Sequence, residues 1–161
     1  MKKHKKKIAF LLKFFAIFAF AEILIFYVDF SALENFIAAQ SASYFGLPWS
    51  GNAIFVPDGT FLITSSCTGL VSMSILAAII FSLRKPKLEQ KFGIFIAGAA
   101  LLFILNYIRV FLVVGIGKYH GIAAGEIAHV ISWFTTAALV LILWYYFTKK
   151  VAKVKDFAGF L

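Results

Sequence analysis

The chain has 161 residues, of which 62% are hydrophobic and only 14% charged, with 20 phenylalanines, a composition far outside that of soluble globular domains. Its formal net charge of +9 would suggest nucleic acid in a soluble domain, but the lysines and arginines cluster in short runs beside apolar segments, the pattern of cytoplasmic flanks, so no nucleic-acid binding is read from it. A single cysteine, Cys67, excludes an internal disulfide and leaves the thiol to packing or to chemistry.

After Lys2-Lys3-His4-Lys5-Lys6-Lys7 comes the first apolar stretch, 8–28. A spanning helix needs about 20 mostly apolar residues, and this stretch qualifies. It is too long for a signal peptide and no clean small-residue cleavage site follows, so it reads as a retained helix. Residues 29–66 form the one long loop. Phe30 to Phe45 mixes apolar residues with Glu34, Asn35 and Gln40 at helical spacing and reads as an interfacial helix. Pro48 and Gly51 break it. Ala53-Ile54-Phe55-Val56, the turn signal Pro57-Asp58-Gly59, and Phe61-Leu62-Ile63-Thr64 then read as a hairpin leading to Cys67.

The second span, 67–83, qualifies narrowly. A basic loop, 84–91, separates it from the third span, 92–116. An outer loop at 117–126 precedes the fourth span, 127–147, and the tail carries Lys149, Lys150, Lys153 and Lys155. The expectation is an all-α, polytopic helix bundle of about four spans, one membrane domain over 1–161, multi-pass in the cell membrane. Positive charge stays inside, which puts both termini and the 84–91 loop in the cytoplasm, and 29–66 and 117–126 outside.

These directions bring three polar residues to one depth. Cys67 opens the second span from the outside, with Ser65 or Ser66 as N-cap. Arg109 lies 17 residues beyond Phe92, about 25 Å along a helix crossing a core roughly 30 Å thick. His129 comes two residues into the fourth span. Each has an ordinary reading by itself: a lone cysteine packs, an arginine near a helix end reaches for headgroups, and a histidine at a helix start is interfacial. Their shared level points to one site.

The chemistry fits the positions. A thiol in the first turn of a helix feels the positive end of the macrodipole, which lowers its pKa, and a nearby His⁺ would lower it further and could later donate a proton to a leaving amine. Arg109 keeps its charge, and Asn106, one turn earlier, could join it in donating to a tetrahedral oxyanion. Glu22 reaches a level close to Arg109 and should have a partner, Arg109 or His129, or else turn to the interface. Glu126 and Ser132 flank His129 at three-residue spacing; either could orient the imidazole, and Glu126 could equally cap the helix. Asp58 reads as turn chemistry. No cysteine and histidine cluster exists for zinc, and no cofactor is expected.

The string Ser66-Cys67-Thr68-Gly69 at a helix entrance, Asn106-Tyr107-Ile108-Arg109 in the next span and His129 at the start of the following one together resemble the exosortase/archaeosortase family of membrane cysteine transpeptidases. The resemblance covers roughly Asn52 to Trp133. It implies that Cys67 is the nucleophile, Arg109 the oxyanion stabiliser and His129 the acid and base, at the extracytoplasmic face. It implies substrates that are secreted proteins ending in a short motif, a hydrophobic helix and a basic cluster, with transfer of the acyl group to a lipid or another nucleophile. Four spans are fewer than most members have, so a homo-oligomer or a partner protein could be required. Two alternatives stay open: a non-catalytic membrane assembly subunit in which Arg109 and Glu22 pair, and a different membrane thiol acyltransferase or peptidase.

Overall fold

The computed structural model describes residues 2–152; the expected tail lysines Lys153 and Lys155 lie outside them. The element order is α1 (Lys2–Tyr27), α2 (Ser31–Phe45), β1 (Trp49–Ser50), β2 (Ala53–Val56), β3 (Gly59–Leu62), a 3-10 turn (Ser65–Cys67), α3 (Leu70–Ser82), α4 (Leu88–His120) and α5 (Ile122–Ala152). α1, α4 and α5 are each long and apolar enough to cross a bilayer. Their large apolar side chains face outward: Phe15, Phe26, Ile96, Leu112, Ile131 and Phe134 are all exposed, as lipid-facing positions would be. The protein is a multi-pass, all-α membrane protein.

The expected second span, 67–83, is corrected. α3 has 13 residues, about 20 Å of helix, short of a hydrocarbon core of about 30 Å. Gly69 sits in the left-handed region (φ 88°) and separates the turn holding Cys67 from the helix proper. At the other end Leu83 is extended, and Pro86 disfavours helix in the residue before it.

The loops flanking the third span are corrected as well. α4 runs for 33 residues, about 50 Å, and takes in the second half of the expected 84–91 loop. The expected outer loop, 117–126, is helical on both sides of Gly121, the one non-helical residue between α4 and α5. Lys118, His120 and Glu126, within that stretch, therefore ride on helix ends. α5 is capped from far away in sequence: both carboxylate oxygens of Asp58, in the hairpin turn, accept from the Ile122 amide at 3.1 and 3.0 Å. Asp58 thus does more than turn the chain.

The helix and hairpin expected between residues 29 and 66 are present. α2 ends on Gly46 in the left-handed conformation. Before it, Asp29 Oδ1 accepts from the Ser31 amide at 2.8 Å, which holds the Asp29 carboxyl below the usual carboxylate range. β2 and β3 pair antiparallel from Ala53 opposite Leu62 to Val56 opposite Gly59, and a short strand not anticipated from the sequence, β1, adds to β2 through Trp49 opposite Ile54. Alternation sends Ile54 and Val56 inward and leaves Phe55 out.

Two apolar cores result. One joins α2 and the sheet to α4 through Ile37, Ala42, Ile54, Ile63, Val110 and Val114, and includes Cys67. The other joins α3, α4 and α5 through Leu76, Ile80, Ile94, Leu102, Val140 and Trp144. Where α4 and α5 diverge from Gly121, Gly117 and Gly125 face each other, and the ring of Phe61 fills the space a side chain on either would need. Charge sorts by end. Lys5, Lys6, Lys13 and Arg84 gather around the end of α3 where the chain turns into α4. The opposite end carries Glu22, Asp29, Glu34, Asp58 and Glu126, with Lys118 as an exception whose Nζ donates to the Phe45 carbonyl at the C-terminus of α2.

Asp58→Ala removes the α5 cap and is expected to cost about 1 kcal/mol of stability. The check is thermal unfolding of the detergent-solubilised protein together with amide exchange at Ile122, where protection should fall in the variant. Unchanged exchange at Ile122 would rule the cap out.

Candidate active site

The chain reaches the site from β3. Thr64 is extended, and the 3-10 turn closes with Cys67 N–H donating to the Thr64 carbonyl at 2.7 Å. Thr68 is wholly buried, and its hydroxyl donates to the Ser65 carbonyl at 2.6 Å. Side chains from other elements hold this turn in place. Ser65 Oγ donates to Glu34 Oε1 of α2 at 3.0 Å, and Asn52 Nδ2 donates to the Ile63 carbonyl at 2.8 Å. From α4, Asn106 Nδ2 donates to the Cys67 carbonyl at 2.5 Å. Gly69 is required for this approach: a Cβ there would stand 3.1 Å from Asn106 Cβ, in a backbone conformation that side chains rarely adopt.

Cys67 itself is 8% exposed, and Thr64 Oγ1 donates to its sulfur at 3.7 Å. The thiol lies in the 3-10 turn and not in the first turn of α3, and neither Ser65 nor Ser66 caps that helix, which corrects the expected arrangement. α3 starts three residues beyond the thiol, at Leu70, with no side-chain cap on its N-terminus.

Arg109 follows Asn106 by one turn on the same face of α4. It is 7% exposed, and its Nε and Nη2 are buried without a hydrogen-bond partner. Its guanidinium is within electrostatic reach of both Cys67 and His129. Arg109 is therefore the link of the expected trio. Among the described residues no hydrogen bond joins His129 to Cys67. His129 is half-buried and lies two turns into α5, because that helix starts at Ile122 and not at 127.

The expected supporting residues have other partners. The Glu22 carboxylate accepts from Ser74 Oγ of α3 at 2.7 Å, and among the described residues no ion pair joins it to Arg109 or His129. Ser132 Oγ donates to the backbone carbonyl of His129 at 2.7 Å and leaves the ring free of it. Glu126 is exposed in the second turn of α5, too late to cap it, and Asp58 holds that position. Asn106 commits one amide hydrogen to the Cys67 carbonyl, which makes it a support of the cysteine backbone. Thr64 and Glu34, which read in the sequence only as parts of the hairpin and the interfacial helix, support the Cys67 turn; the one sequence signal for this is the spacing of Thr64 three residues before Cys67.

Two openings adjoin the trio. A cleft of about 710 Å³ between α1 and the Cys67 turn is lined by Glu22, Tyr27, Thr64, Ser65 and Ser66. An apolar groove of about 390 Å³ between α4 and α5 has Arg109 in its wall beside Ile108, Leu112, Ile131 and Thr135. Among the described residues no group of His, Cys, Asp or Glu is arranged to hold a metal ion.

Comparison with known proteins adds one finding. Residues 3–146 match the family described as Transmembrane exosortase (Exosortase_EpsH). Neither the curated proteins nor the solved structures contain a match.

Asn106→Ala leaves the Cys67 carbonyl without its buried donor, a loss of about 1–3 kcal/mol, and Gly69→Ala forces the same contact apart. Both are expected to lower the unfolding temperature and to change the rate at which a maleimide labels Cys67. Ser43→Ala, on the exposed face of α2, serves as the control and should change neither. A labelling rate in Asn106→Ala equal to that of the wild type would show that the tether does not position the thiol.

Proposed function

Since the chain belongs to the transmembrane exosortase family, we propose that it is a membrane-embedded cysteine transpeptidase or peptidase acting on the C-terminal sorting signals of secreted proteins. The observation that carries this reading is Arg109: a buried guanidinium with two unpartnered nitrogens, within electrostatic reach of both the lone thiol and the half-buried imidazole. A buried cation without a partner is costly in a purely structural role. It is useful where negative charge develops during reaction.

In the proposed reaction His129 accepts the thiol proton, and Cys67 Sγ attacks the scissile carbonyl carbon, forming a C–S bond and a tetrahedral oxyanion. The free N–H groups of Arg109 donate to that oxygen. Collapse re-forms the carbonyl and breaks the C–N bond, with His129 delivering its proton to the departing amine. The thioester is then resolved by a lipid, another nucleophile or water, whose proton passes to His129 as the thiolate leaves. The apolar groove between α4 and α5 suits the hydrophobic helix of a sorting signal, because it opens beside Arg109 and is walled by exposed aliphatic residues. The sorting of basic residues to the end remote from Cys67 supports cytoplasmic termini and a site at the extracytoplasmic face.

The test is mass spectrometry of a co-expressed secreted protein carrying a motif, hydrophobic helix and basic cluster at its C-terminus. Wild type should remove the helix. Cys67→Ala should abolish removal, Arg109→Ala should slow it roughly 10²–10³-fold, and His129→Ala roughly 10²–10⁴-fold. Processing that persists in membrane-inserted Cys67→Ala would defeat the thiol mechanism and favour an assembly subunit.

A further inference from the structure

The end of the molecule remote from Cys67 holds a recess that the proposed chemistry does not use. Lys5, Lys6 and Lys13 of α1 and Arg84, just past α3, line one cavity of about 320 Å³, with Phe10 and Ser82 completing its wall. Lys6, Phe10 and Lys13 fall on one face of α1 by helical spacing, so the cations are aimed at α3 by the register of the helix. Lys91, buried in α4, is within electrostatic reach of Lys13, and its Nζ donates to the Leu83 carbonyl beside Arg84.

Among the described residues none of the four lining cations has a carboxylate partner, and the hydroxyl of Ser82 is bonded to the Ala78 carbonyl of its own helix. Like charges gathered around one recess repel, although these four are exposed and screened by water, and an anion shared between them would turn that repulsion into attraction. The positive-inside bias explains why cations lie at this end, but not why three from one helix and one from a separate loop converge on a single cavity. The C-terminal dipole of α3 accounts for the nearby Arg84 and not for the lysines.

We propose that this recess binds a phosphate group, carried by an anionic phospholipid or present as free inorganic phosphate. Lysine and arginine together supply the donors that phosphate oxygens accept. Ile8, Leu11 and Leu12, exposed on α1 next to the cavity, offer apolar surface for acyl chains in the lipid case. The bound phosphate bridges α1 to the α3–α4 turn and offsets the repulsion between them.

The test uses the full-length protein in neutral detergent, titrated with phosphatidylglycerol, phosphatidylcholine, inorganic phosphate or chloride at matched ionic strength, with thermal unfolding and native mass spectrometry as readouts. A thermal shift and a retained lipid with phosphatidylglycerol beyond those with phosphatidylcholine assign the lipid. A shift with inorganic phosphate beyond that with chloride assigns the free ion. The double variant Lys13→Gln with Arg84→Gln should weaken binding at least about tenfold. Lys13→Arg, which keeps the charge, should retain it, as should Lys149→Gln with Lys150→Gln at the end of α5. Equal responses to all four additives would overturn the proposal, and so would equal losses in the two double variants, which would mean diffuse surface attraction and no built recess.

Discussion

The hydrogen bond from Asn106 to the carbonyl of Cys67 is the constraint on which the site depends. A continuous helix through residues 65–82 would consume that carbonyl in its own ladder and leave nothing for α4 to hold. The left-handed Gly69 interrupts the helix, frees the carbonyl and lets the loop come close to Asn106. A buried carbonyl needs a donor, and the asparagine supplies it. Because Arg109 lies one turn further along the same face, the side chain that fixes the cysteine's backbone also fixes where the guanidinium can be. One helix thereby sets two members of the trio together.

The third member is placed by the elements after α1. α4 and α5 are both longer than a bilayer requires, and their surplus length is wrapped by α2 and the sheet. Phe61 of β3 occupies the gap between Gly117 and Gly125, which lets the two helices diverge from a single residue, Gly121. Asp58 then fixes where α5 begins. The hairpin therefore leads into the cysteine turn at one end and sets the start of the histidine's helix at its tip. A residue read as ordinary turn chemistry has a structural reach of 64 positions along the chain.

What could be read from the sequence was whatever depends on residue type and local pattern. Apolar length located α1, α4 and α5; the hairpin announced itself through Pro57-Asp58-Gly59; and a thiol, a guanidinium and an imidazole in apolar surroundings are rare enough to draw attention. What escaped depends on distant partners. An apolar run from 67 to 83 does not reveal that Gly69 will be left-handed, since that follows from contact with α4. The stretch 117–126 reads as a loop because the long apolar runs stop on either side of it, whereas a helix supported by a sheet can continue past the membrane surface. Asn106 was picked out by its spacing from Arg109, but its partner is a backbone carbonyl, which leaves no mark on composition.

The placement of Glu22 bears on why Arg109 is kept without a partner. A carboxylate beside the guanidinium would form a buried ion pair, satisfied in the resting protein and unavailable to anything else. Instead Glu22 accepts from Ser74 on α3, and Nε and Nη2 of Arg109 remain without a partner, with the guanidinium in electrostatic reach of the thiol. Rate acceleration requires interactions that are stronger in the transition state than in the ground state. In the proposed reaction a cation neutralised in advance would contribute little, while one desolvated by its surroundings and left open would stabilise an oxyanion forming next to the sulfur. The energetic cost of burying Arg109 is then met by the core that joins α2, the sheet and α4 and includes Cys67. That packing keeps the thiol and the guanidinium together before any substrate arrives.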